Sequence, residues 1–392
     1  MLKFLGTAIG AIEWYENAIC IALTDVISRV FFPEFDTSAR FMLYLLSIAI
    51  GYLGRPIGGF ILGHYSDKYN RMRAAFFGFT LMVFASLAIS FLPAYGQIGR
   101  YAPALFIFFR FLQGVAIGGN YGVAVASVES VHRAERYATS SLVSVGIMIG
   151  FLLGSVAATI LNYFFTQDFL VQFGWRIGLW SSAIFSIPVF IAFAKTDMKK
   201  KEKVQSFVTS TVDINWKLVA KVFVLFLLDM VPFYLLFTFL PNYKIMFLGQ
   251  DSSQIWFYHS VSMVVIALFT PFFGKLADAY GAIKSLKVCA IGLFVTAFFG
   301  PWNSWIWSFV FAILMAVCYG SLYGFVALIF PESVRARIAG VLFNVTGSIS
   351  IGVTPLIAAY LARYNFNYVS YFLAFVVSCV WLVLNTLKEE LE

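Results

Sequence analysis

This chain is a succession of long apolar runs, separated by charges or by Pro, Gly and Asn. They cover approximately 7–32, 39–64, 74–93, 102–128, 138–165, 175–194, 217–246, 254–275, 284–301, 304–330, 338–362 and 367–387. Each has the length of one helical bilayer crossing, about 20 mainly apolar residues. Hydrocarbon offers the backbone no hydrogen-bond partner, so each run must satisfy its own N–H and C=O groups as a helix. Composition agrees: of 392 residues, 61% are hydrophobic and only 12% charged, against about 25% charged in a soluble domain. With a mean hydropathy of +0.86, a water-facing surface of this chain would carry too little charge to stay dissolved. A soluble enzyme, a disordered chain and a nucleic-acid coat are excluded. The expected fold is an all-α integral membrane protein of twelve transmembrane helices.

The net charge of +8 is a topology signal, since the basic residues fall in short clusters between apolar runs. With both termini in the cytoplasm, seventeen Lys and Arg lie at inner connections and six at outer ones. The asymmetry favours this orientation. The N-terminus has no small-residue cleavage site before Glu13 and Glu16 and reads as an uncleaved first span. Cys20, Cys289, Cys318 and Cys379 sit singly in apolar stretches without metal-ligand spacing, so they read as packing residues. No cofactor or metal is expected.

Charge and pattern divide the chain in two. Six runs in 1–194 and six in 217–392 flank a polar linker, 195–216, containing Lys199-Lys200-Lys201-Glu202-Lys203. The halves echo one another. Gly63-His-Tyr-Ser-Asp67-Lys-Tyr-Asn70-Arg71 after the second run matches Gly274-Lys-Leu-Ala-Asp278-Ala-Tyr-Gly281 after the eighth, and Glu129-Ser-Val-His-Arg133 matches Glu332-Ser-Val-Arg335. Two similar six-helix halves around a midplane site is a transporter architecture.

Further motifs lie within the runs: Glu13-Trp-Tyr-Glu16, Phe31-Phe-Pro33, Gly54-Arg55-Pro56-Ile-Gly58-Gly59, Arg110-Phe-Leu-Gln113-Gly114 with Gly118-Gly119, Gly174-Trp175-Arg176 and Leu240-Pro241-Asn-Tyr243. Together with the loop motifs they resemble the major facilitator superfamily over nearly the whole chain, and within it the metabolite:proton symporters, which carry proline and betaine, 2-oxoglutarate, citrate or shikimate. The resemblance implies two pseudo-symmetric six-helix bundles, a multi-pass location in the bacterial inner membrane, a monomer, and a small-molecule substrate with a proton as partners. Three departures matter. The subfamily has Asp where this chain has Glu16, Glu where it has Asn120, and Gly where it has Asn70. Asn tolerates a left-handed turn next best after Gly, so the loop geometry is expected to survive. The missing acid at 120 removes a charge from the central cavity.

An ionisable side chain in hydrocarbon costs several kcal/mol unless paired or wet, and by default marks a pathway. Arg110 is the leading case, with Gln113 and Asn120 on the same helical face. It would hold a substrate anion or answer a neighbouring carboxylate, or else only satisfy carbonyls between helices. Glu13 and Glu16, three apart, share a face. They read as a proton-carrying pair or as a polar collar for Arg55. Asp25 and Asp229 lie at equivalent depth in the first helix of each half, each a protonatable site or a counter-ion for a substrate ammonium. His259 reads as interfacial, and Trp14, Trp175, Trp302 and Trp305 as belt residues. By resemblance, Arg55, Asp67, Arg71, Glu129, Asp278, Glu332 and Arg335 form the gating network.

The expected function is therefore proton symport, by alternating access, of a small polar solute, a zwitterion such as proline or betaine. The alternatives are a small carboxylate as substrate, or uniport or exchange without a proton. A receptor on the same fold would not transport. An intramembrane enzyme would need a nucleophile–base pair or a metal motif, and three scattered His residues supply neither.

Overall fold

The computed structural model describes residues 2–68, 71–118, 136–195, 215–299, 304–330 and 332–391, and within them the chain is helical without strands. The long helices are α1 Leu2–Ala22, α2 Thr24–Phe31, α3 Thr37–Lys68, α4 Arg71–Ser90, α5 Tyr101–Gly118, α6 Arg136–Phe164, α7 Trp175–Ala194, α8 Trp216–Tyr234, α9 Leu240–Leu248, α10 Ser252–Tyr280, α11 Ala282–Phe299, α12 Trp305–Ile329, α13 Glu332–Ala362 and α14 Asn367–Leu391. Among the described residues, ten helical stretches are long and apolar enough to cross a membrane. The broken pair α1–α2 and the helix α11 occupy the other two of the twelve expected positions. Large apolar side chains such as Phe60, Phe91, Leu268 and Phe375 face outward, as a hydrocarbon solvent requires.

Prolines inside α3, α7, α8, α10 and α13 do not end them. Between α8 and α9 the helix widens into a π turn, Leu235–Phe239, flanked by Pro232 and Pro241, neither of which has an N–H to continue the i−4 ladder. Tight turns elsewhere rest on glycine: Gly281 has φ +94°, a left-handed geometry that favours this residue. Its counterpart in the first half, Asn70, lies outside the described residues, as does the expected linker between Lys195 and Asn215.

Two compact units are present, one formed by Met1–Ala124, Gly150–Ser206 and Pro241–Ser260, the other by Val125–Ile149, Phe207–Leu240 and Val261–Glu392. In the first, α3 and α5 meet backbone to backbone. A Cβ on Gly54 would stand 2.5 Å from the Phe111 carbonyl oxygen, and one on Gly51 3.0 Å from that of Arg110. Gly58 and Gly118 are closed in the same way by the carbonyls of Val115 and Arg55. Small residues permit this approach, and it sets Arg110 beside α3. A core of Ile9, Ile12, Phe79, Met82, Ala116, Val189 and Phe193 packs α1, α4, α5 and α7 together. In the second unit, buried side chains including Leu225, Met263, Leu293, Met315 and Leu373 form the interior.

Candidate functional site

The first unit holds a buried polar network built on α1, α3, α4, α5 and α7. Arg110 donates from Nη1 to Gln113 Oε1 at 3.3 Å and from Nη2 to the Tyr44 hydroxyl at 3.4 Å. The Tyr44 hydroxyl in turn donates to the Cys20 carbonyl at 2.6 Å. The Gln113 amide nitrogen donates to Ser86 Oγ at 2.7 Å and reaches Glu16 Oε2 at 3.5 Å. Ser182 Oγ lies 2.6 Å from Glu16 Oε1. Gln113 thus links the guanidinium to the carboxylate, accepting from one and donating to the other. Among the described residues Arg110 makes no ion pair, and its buried Nε has no partner.

Ser182 has a second acceptor, the Leu179 carbonyl at 2.9 Å. Its hydroxyl donates to Glu16 when that group is a carboxylate. When Glu16 carries a proton, Ser182 can turn to Leu179 and accept from it. Both forms of Glu16 are therefore satisfied without moving a helix, which an ordinary buried acid is not.

Glu13 belongs to a separate arrangement. Its Oε1 accepts from Arg55 Nη2 at 3.0 Å in a buried ion pair, and the Arg55 guanidinium lies 4.2 Å from the Tyr52 ring centre and 5.6 Å from that of Trp14. Asn17 donates to the Tyr52 hydroxyl. The adjacency of Glu13 and Glu16 in sequence thus resolves into two partners rather than one shared carboxylate pair. Asp25 is not brought to this network: it pairs with the exposed Arg29 one turn away at 2.9 Å.

In the second unit Asp229 is 1% exposed. Tyr323 donates to its Oδ2 at 2.6 Å, and Tyr319 lies one turn earlier on the same helix, α12. The two tyrosine rings stack, 6.1 Å apart and 10° from parallel. No cation pairs with Asp229 among the described residues. Asp278 accepts from the Tyr137 backbone N–H at 3.1 Å. Of the other expected gating and binding groups, Asn120 and Glu129, and the side chains of Asp67, Arg71, Glu332 and Arg335, lie outside the described residues.

Several expectations need correction. Trp14 and Trp175 are buried, not belt residues, while Trp305 is half exposed; Trp302 lies outside the described residues. His259 is buried rather than interfacial, with Nδ1 2.6 Å from Ser155 Oγ. The described cysteines are free thiols, as expected. Sequence reasoning missed Ser182, Ser86, Tyr44, Tyr319 and Tyr323, because an isolated hydroxyl residue in an apolar run carries no signature. Helical spacing relates Tyr319 to Tyr323, but nothing in it points to Asp229.

Comparison with known proteins follows the same lines. The family model described as Major Facilitator Superfamily matches residues 17–343 and 222–390. The inner membrane metabolite transport protein YhjE of Escherichia coli is 28% identical over 404 residues, covering 95% of this chain and 89% of that protein. The proline/betaine transporter of the same organism is 26% identical, covering 97% and 81%. The crystal structure of a D-xylose-proton symporter superposes with a TM-score of 0.76 at 16% identity, covering 97% and 96% of the two chains; that likeness concerns the fold. Twelve helical positions, buried charges in each unit and these matches converge: the chain is a multi-pass membrane transporter, not an enzyme, and it belongs to the major facilitator superfamily.

Proposed function

We propose that the protein imports a small zwitterion, of the proline or betaine type, together with a proton. The observation that carries this reading is the Arg110–Gln113–Glu16 chain of contacts. Arg110 keeps donors to spare and complements a carboxylate, and Glu16 has a hydroxyl partner suited to both of its protonation states. A substrate carboxylate that draws on Arg110 weakens its bond to Gln113, which changes what Gln113 offers Glu16. Binding of solute and proton are linked in this way, and linkage is reciprocal. The relatives named for proline and betaine support the substrate class.

Transport follows by alternating access, with the six-helix halves 1–194 and 217–392 rocking in a monomer whose termini both lie in the cytoplasm. The Arg55–Glu13 pair serves as a bias on that equilibrium, together with the loop residues Asp67, Arg71, Glu129, Asp278, Glu332 and Arg335. Asn120, which lies outside the described residues, is kept as a substrate-binding candidate on the sequence alone.

Proteoliposomes containing the purified chain test the reading. Uptake of labelled proline and glycine betaine should rise with an inward proton gradient and stop when it is collapsed. Arg110→Ala should abolish uptake. Glu16→Gln should lose the gradient response while still exchanging solute for solute. Uptake indifferent to the gradient would refute symport. Uptake of small carboxylates in place of zwitterions would move the substrate to that class, which Arg110 alone can serve.

A further inference from the structure

Asp229 differs from the other buried acids. Glu13 has an arginine and Glu16 has a link to one, but no cation stands beside Asp229 among the described residues. Its surroundings are aromatic. The Tyr323 ring is 6.3 Å from Phe226 and 6.0 Å from Phe343, and the Tyr319 ring stacks on it. Helix α13 is held in register with α8 by two contacts: the rings of Phe226 and Phe343, 5.9 Å apart, and Met230 against Gly347, whose added Cβ would lie 3.9 Å from the methionine methyl carbon. Both partners advance by four residues, so Thr346 stands level with Asp229 and on the same helix face as Phe343. Thr346 is fully buried, and its hydroxyl has no partner among the described residues.

We propose that Asp229, Tyr319, Tyr323, Phe226, Phe343 and Thr346 form a recognition site for an organic ammonium group, with preference for an N-methylated one. A carboxylate supplies the opposite charge, and the faces and edges of phenyl rings suit a large, weakly hydrated cation. A hard metal ion takes six or more oxygen ligands in place of its water, which phenyl rings do not provide. The proposal rests on the reading of the protein as a zwitterion carrier only for the identity of the solute. It gives the ammonium end its own residues and makes the charge on nitrogen, not the shape of the solute, the basis of selection.

The test uses the full purified chain in detergent and thermal stabilisation by four probes in a potassium chloride buffer. Glycine betaine is compared with 3,3-dimethylbutanoate, which has the same shape without the positive charge; choline supplies an ammonium without a carboxylate; sodium chloride supplies a metal ion. Betaine should bind at least about tenfold more tightly than this carbon isostere, the size of one desolvated cation–aromatic contact. Asp229→Asn should remove that preference and the choline response, and Asp229→Glu should keep both. Tyr323→Phe should retain choline binding, whereas Tyr323→Leu should weaken it about tenfold.

Equal affinity of the wild type for betaine and its isostere overturns the proposal, and so does an absence of choline binding. The preference persisting in Asp229→Asn overturns it as well. Stabilisation by sodium that depends on Asp229 would replace it with a metal site. Arg110→Ala separates this proposal from the transport mechanism: uptake should be lost while choline still binds. The isostere comparison needs no variant, so a misfolded mutant does not leave the question open.

Discussion

Glu13→Gln tests the buried Arg55–Glu13 pair with little change of shape. The Arg55 and Glu13 side chains are 5% and 8% exposed and meet at 3.0 Å. Removing one member of such a pair leaves an uncompensated charge and costs about 3–5 kcal/mol. The Tyr52 and Trp14 faces continue to hold the guanidinium, and glutamine still offers it an oxygen, so about 3 kcal/mol is expected. Unfolding entropy of about 2.1 cal/mol/K per residue over 392 residues gives a loss of about 4 °C in apparent melting temperature. Cys20, Cys289 and Cys318 are buried free thiols, so a thiol-reactive fluorophore in a temperature ramp reports unfolding directly. Arg55→Gln should cost less than Glu13→Gln. An unpaired carboxylate can be neutralised by a proton, whereas arginine keeps its charge. The double variant should recover more than half of the Glu13→Gln loss. If the double variant melts no higher than Glu13→Gln, or Arg55→Gln is the more damaging single change, the pair is not what holds these helices and the reasoning fails.

Gly118→Ala should reduce the yield of folded protein sharply, since its Cβ would press on the Arg55 carbonyl; Gly10→Ala, with nothing within 4 Å of the added atom, should be silent in the same size-exclusion assay. Asp25→Asn should change stability by less than about 1 kcal/mol, as an exposed i,i+4 pair with Arg29 does, and should leave gradient-driven uptake unchanged. Asp251 caps α10, accepting from Gln254 N at 2.8 Å and Ser253 Oγ at 2.5 Å, and these bonds hold its carboxyl below the usual range. Asp251→Ala should cost about 1 kcal/mol at neutral pH. Because the folded-state value is the lowered one, the cap is at full strength above about pH 4 and weakens as pH falls through the folded value. Melting curves of wild type and variant should therefore converge in acid.

The spans were legible because hydropathy is a local property. A run such as 217–246 must be helical in hydrocarbon whatever surrounds it, and the structure ends that stretch at Leu248. Arg110 and Gln113 were legible as a pair because helical spacing joins them, and they are hydrogen-bonded. Asp25 and Asp229 looked equivalent by depth, yet one pairs with a neighbour on its own helix and the other accepts from Tyr323 on α12. Glu13 and Glu16 looked alike and found different partners.

Hydropathy alone shows that this chain crosses a membrane many times as helices, and where. It also shows which side chains would be costly to bury. How each is satisfied depends on contacts far apart in the chain: Arg55 with Glu13 is 42 residues distant, Tyr323 with Asp229 is 94, and His259 with Ser155 is 104. The reason is physical. A buried charge specifies that it needs a partner, but the partner is fixed by how helices rotate and cross, and glycine contacts such as Gly54 against Phe111 set that packing without naming the partner.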